Sequence, residues 1–84
     1  METIEQSKNT RPLYAIASEI RRDWGKVYFG AAPYLEAMGG LESVNDSYGY
    51  DNGRGIVRYF LANAQSWRGE NAKRIKAELK NLVK

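Results

Sequence analysis

One spacing governs this chain. Leu13, Ile16, Ala17, Ile20 and Trp24 fall at i, i+3, i+4, i+7 and i+11, the period that lines one face of an α-helix with apolar side chains. The period returns in Ile56, Val57, Phe60, Leu61 and Ala64, and again in Ala72, Ile75, Leu79, Leu82 and Val83. The expected class is therefore all-α: a compact bundle of three main helices plus one short one. The short helix comes from "KVYFGAAPYLEAMGG", where Pro33 can open it, Tyr34, Leu35 and Met38 give it one apolar face, and Gly39-Gly40 end it. Packing must hold a helix of two turns together. Val27-Tyr28-Phe29 is too short to stand as a strand in a chain with no other strand signal.

Boundaries follow from capping chemistry. Thr10 offers a hydroxyl cap before Pro12, and Gly25 offers a stop for the first helix. Asp51 or Asn52 can cap the third helix, after the turn-rich "LESVNDSYGYDNG". Residues 1–9 show no periodicity and read as a frayed tail, leaving 10–84 as a single helical domain. The expected core is Leu13, Ile16, Ile20, Trp24, Leu35, Ile56, Val57, Phe60, Leu61, Ile75 and Leu79. Few residues separate the third and fourth helices, so they fold back as neighbours. The bend carries Ser66-Trp67-Arg68-Gly69. An indole there can close the end of the core or receive a partner; the structural role is sufficient by itself.

What the chain lacks narrows its chemistry. With 84 residues it has neither cysteine nor histidine. This removes disulfides, thiolate metal sites, the neutral-pH proton shuttle and the strongest nucleophile. No carboxylate pair is forced together by spacing, and the serines have no base to activate them. "NDSYGYDNG" lacks the alternating acids and terminal glutamate of a calcium loop, so Asp46 and Asp51 read as caps of turn amides. Neither "GAAPYLEAMGG" nor "DNGRG" has the lysine and hydroxyl of a phosphate loop. The expectation is a protein that is not an enzyme and uses no cofactor or metal. No apolar run reaches the ~20 residues of a membrane span. "METIEQSKNT" has no apolar signal core. A cytoplasmic protein without membrane contact is expected.

Charge is polarised. Val27 to Gly53 holds four acids and no Lys or Arg, whereas Arg54 to Lys84 holds eight bases against two acids. On the last helix Lys73, Lys76, Lys80 and Lys84 recur at i, i+3, i+7 and i+11, roughly 115° round from the apolar stripe. Together with Arg54, Arg58 and Arg68 they are the candidate surface for nucleic acid or a partner protein. Against this stands a plain solvated lysine face, favoured near a helix C-terminus. A helix-turn-helix comparison fits poorly, because Gln65 stands where a small residue is needed four positions before Gly69. The second candidate surface is the loop 42–53, with Tyr48 and Tyr50 beside Asp46 and Asp51. Tyrosine is favoured at protein interfaces, and half-buried tyrosine lids compete as the ordinary explanation.

The strings "VYFGAAPYLEAM", "YGYDNGRGIVRYFLANA" and "SWRGENAKRIKAELK" resemble a group of small uncharacterised proteins from phages and mobile elements of Gram-positive bacteria. The similarity spans about Leu13 to Val83. "MGGLES" departs from it, with two glycines in place of larger residues, which implies a looser end of the second helix. The resemblance carries no activity. It implies a cytoplasmic, virus-derived accessory protein of the kind that binds DNA or a host protein, and it chooses no partner. On the residues themselves, the basic flank is the expected contact for nucleic acid or a nucleic-acid-handling host protein. Alternatively, the acidic, aromatic loop serves as an interaction module that forms a homo-oligomer or inhibits a host defence protein.

Overall fold

The computed structural model describes residues 10–84, and the tail expected at 1–9 lies outside the described residues. Among the described residues there are four helices: α1 (Leu13–Asp23), α2 (Ala32–Met38), α3 (Gly53–Ala62) and α4 (Glu70–Leu82). Between α2 and α3 sits a ribbon of two short antiparallel strands, β1 (Ser47–Tyr48) and β2 (Asp51–Asn52), paired Ser47 to Asn52 and Tyr48 to Asp51. The chain is thus mostly helical, and the ribbon corrects the purely helical expectation. Its physical signal is local. Gly49, at the first central position of the two-residue turn, has φ 66°, where an L side chain would be strained, and Gly-X suits such hairpins.

The start of α1 corrects a second expectation. Pro12 is its N-cap and no side chain caps it, Thr10 included. The Leu13 and Tyr14 amides instead donate to the carbonyls of Glu42 and Leu41, each at 2.9 Å. Free helix-end amides need an acceptor, and here the segment after α2 supplies it. Nor does Gly25 stop α1 by a left-handed turn. Trp24 itself leaves helical geometry at φ −99°, ψ 79°, with its amide donating to the Ile20 carbonyl. At α3, of the two caps the sequence offers, Asn52 is the one used, its Oδ1 accepting from the Gly55 amide at 2.8 Å, and Asp51 lies in the ribbon. Pro33 stands in the first turn of α2. Beyond α2, the amides of Gly39, Gly40 and Leu41 all find carbonyls one turn back, so the diglycine is tied down and not loose.

Ten of the eleven expected core residues are buried; Leu61 is half-buried and packs against the edge. The core also takes in Trp67, only 2% exposed. Its indole stacks on Trp24 (centroids 5.7 Å apart, planes 11° apart) and meets Phe60 edge-on at 6.3 Å. The bend between α3 and α4 is therefore a corner that packs helices together. Its far side ends at Gly69, whose φ of 114° favours glycine. No described helix is long and apolar enough to cross a membrane.

Candidate nucleic-acid interface

Helix α4 lays its apolar stripe on the core and leaves two flanks, which treat charge in opposite ways. The flank facing α1 is neutralised. Arg74 Nη2 donates to Glu19 Oε2 at 2.6 Å, and Arg11 Nη1 to Glu19 Oε1 at 2.8 Å. Arg11 also grips Glu78 with both arms, Nη2 to Oε1 at 2.8 Å and Nε to Oε2 at 3.0 Å. Further along, Asp23 accepts from Trp67 Nε1 at 2.8 Å and from Asn71 Nδ2 at 3.0 Å. Both guanidinium groups at this contact, Arg11 and Arg74, are answered by carboxylates.

That network predicts acid sensitivity. Hydrogen bonds from Arg74, then Arg11, hold the Glu19 carboxyl below its ordinary range. A depressed folded pKa adds stability that is present above the unfolded value of about 4.3 and is lost as pH falls through the folded value. The thermal midpoint is expected to drop below about pH 4. Glu19→Gln should flatten that acid limb while costing up to about 1 kcal/mol at neutral pH. Parallel acid curves for the two proteins would show that Glu19 is not the titrating group.

The opposite flank, beside the corner, keeps its charge. Lys73 and Lys80 are exposed there with Arg68, and Lys76 is half-buried between them. Among the described residues, no carboxylate oxygen lies within 4 Å of any of these four cations. The Lys76 ammonium donates to the Trp67 carbonyl at 2.7 Å and stands 5.8 Å from the indole centroid. It is held below the ordinary lysine range, first by burial and then by the nearby charges of Lys80 and Arg68. Lys80 and Arg68 thus both stand near enough to Lys76 to repel its charge. Gln65, Trp67, Arg68, Lys73 and Lys76 line a cleft of about 330 Å³ at this spot.

Other candidate residues have structural tasks. Arg58 Nη2 donates to the Val83 carbonyl at 3.0 Å, and Arg54 Nη1 reaches the Leu82 carbonyl at 3.4 Å. These guanidinium groups satisfy free carbonyls at the end of α4 and offset its negative dipole end. Lys84 is exposed just beyond. Just before the ribbon, Asp46 Oδ2 accepts from the Glu42 and Ser43 amides at 3.1 and 3.2 Å, so that carboxylate closes a turn. Asp51 belongs to β2, Tyr48 is half-exposed, and Tyr50 stands wholly in solvent at the tip. Among the described residues, no three His, Cys, Asp or Glu side chains gather as a metal site.

The sequence reading missed the polar groups next to the cations. Asn63, Gln65 and Ser66 line a second cleft, of about 300 Å³, with Tyr28. The only available signal was their place between the end of α3 and Trp67. No family model, curated protein or solved structure matches the chain.

Proposed function

We propose that this chain is a non-enzymatic accessory binding protein of the phage or mobile-element type, working in the cytoplasm. Its α4 flank engages nucleic acid, or a host protein that handles nucleic acid. The observation supporting this reading is the sorting of charge around α4. Where α4 meets α1, Arg11 and Arg74 are matched by Glu19 and Glu78. On the other flank, Arg68, Lys73, Lys76 and Lys80 have no described carboxylate oxygen within 4 Å, and the charges of Lys80 and Arg68 act on Lys76. Such repulsion costs stability in the free protein and is relieved by phosphates, whose binding releases counterions.

Four phosphate contacts give a log–log salt slope of about −3.6 on duplex DNA, or roughly a hundredfold loss between about 50 and about 200 mM salt. Fluorescence anisotropy with a labelled duplex measures this directly. Lys73→Glu with Lys80→Glu is expected to weaken binding at least about tenfold and to reduce the slope by about 2. Both side chains are exposed, so the fold should survive. Binding that ignores salt, or survives the double reversal, would remove this function.

The exposed Tyr50 at the ribbon tip supports a second reading, in which the ribbon meets a second copy of the chain or a host protein. A mass that rises with concentration in light scattering, and falls with Tyr48→Ala and Tyr50→Ala, would favour it.

A further inference from the structure

Resting on the α4 reading, we propose that the preferred polymer is single-stranded, running from the Arg68–Lys73–Lys76 cleft across the corner onto the aromatic pair Tyr28–Phe29. The two clefts share Gln65 as a wall. They therefore adjoin along the corner, with cations at one end and an aromatic side chain at the other. Asn63, Gln65 and Ser66 lie between, and their amides and hydroxyl can both donate and accept.

The aromatic end is built in a way that folding alone does not explain. Phe29 is 81% exposed and packs beside the Tyr28 ring, centroids 4.9 Å apart. A phenylalanine so exposed recovers little free energy from burial. The Tyr28 ring lies against Gly30, where an added Cβ would come 2.5 Å from the ring and 3.0 Å from Asn63 Oδ1. The turn thus holds one ring over the cleft wall and presents the other to solvent. A second aromatic pair joins Tyr34 of α2 to Tyr59 of α3 at 5.4 Å, and Tyr59 stands one helical turn before Asn63, the C-cap of α3.

Flat exposed rings and cations with no described carboxylate oxygen within 4 Å share one class of ligand. Phosphates answer the cations, and bases answer the rings, but only bases free of a duplex stack can lie on them. Amides between the two can bond base edges without demanding one sequence. A duplex would satisfy the cations and leave Phe29 unused.

The test compares a labelled oligodeoxythymidylate of about 12 nucleotides, within the range such platforms cover, with a labelled duplex of the same length. Both are titrated with the whole chain at the same low salt. The expected result is single-strand affinity about tenfold higher than duplex affinity. Phe29→Ala should remove most of that difference and leave duplex binding unchanged, and Phe29→Trp should retain it. Because Phe29 is exposed, both variants should unfold at the wild-type temperature, which circular dichroism checks. Equal affinity for the two DNAs, with no effect of Phe29→Ala, overturns the single-strand proposal but leaves the α4 function standing. Binding to neither DNA overturns both. A concentration-dependent mass abolished by Phe29→Ala assigns the aromatic pair to a second copy and also overturns the proposal.

Discussion

Trp67→Ala is expected to leave the domain largely unfolded at physiological temperature. The Trp67 indole is among the largest fully enclosed side chains, stacked on Trp24 and edge-on to Phe60. Truncating a buried tryptophan typically costs about 3–5 kcal/mol, through lost transfer free energy and the cavity left behind. A domain of 84 residues has a total stability of roughly 4–12 kcal/mol at ordinary values per residue. The loss is therefore a large share of the whole. Trp67→Phe keeps a ring between Trp24 and the corner and gives up the bond to Asp23, an exposed carboxylate that retains Asn71 and water. Its loss should be clearly smaller. Urea unfolding followed by circular dichroism separates the three proteins. An alanine variant with a midpoint near wild type would show that the tryptophan stack is not what joins α1, α3 and α4.

The same residue marks where a linear reading stops. The bend could be located, since two apolar periods end and restart around Trp67. Its stacking on Trp24 could not be, because 43 positions separate them and no local rule sets that contact. Caps divide in the same way. Asn52 was legible because an N-cap acts within three residues. The carbonyls of Leu41 and Glu42 were not, because they reach α1 only once α2 has folded beside it. The ribbon escaped notice because two-residue strands cannot show alternation. For the candidate site, the lysine spacing on α4 could be read directly. That Arg74 is neutralised and Lys73 is not depends on Glu19, 55 residues before Arg74. Likewise Arg54 and Arg58 look free in sequence and turn out to serve the end of α4, a partner 25 to 28 residues away.

Gly53→Ala is expected to destabilise the chain by about 1–3 kcal/mol, the usual range for forcing extra volume into a filled site. Gly53 is buried at the first position of α3. An added Cβ would lie 2.8 Å from the Ser43 carbonyl oxygen, 2.8 Å from Val44 Cα and 3.1 Å from its carbonyl carbon. All three are backbone atoms, so no rotamer change can make room. The segment cannot easily retreat either. The Gly53 amide donates to the Asp46 carbonyl at 2.7 Å, and the Arg54 amide to the Val44 carbonyl at 2.9 Å. Alanine ordinarily favours a helix over glycine by about 1 kcal/mol, so a net loss here measures close approach against propensity. Gly25→Ala provides the control, since nothing lies within 4 Å of its added Cβ and its φ is not positive. It should be neutral or stabilising by about 0.4–1 kcal/mol through the unfolded chain. In Gly53→Ala the Gly55 cap and the ribbon loosen together. Hydrogen exchange should therefore speed up at the Arg54 and Gly55 amides while the core amides of α1 respond less. If Gly53→Ala matched or exceeded the wild type in urea, the close passage of residues 43–46 over α3 would be wrong, and with it the placement of the ribbon.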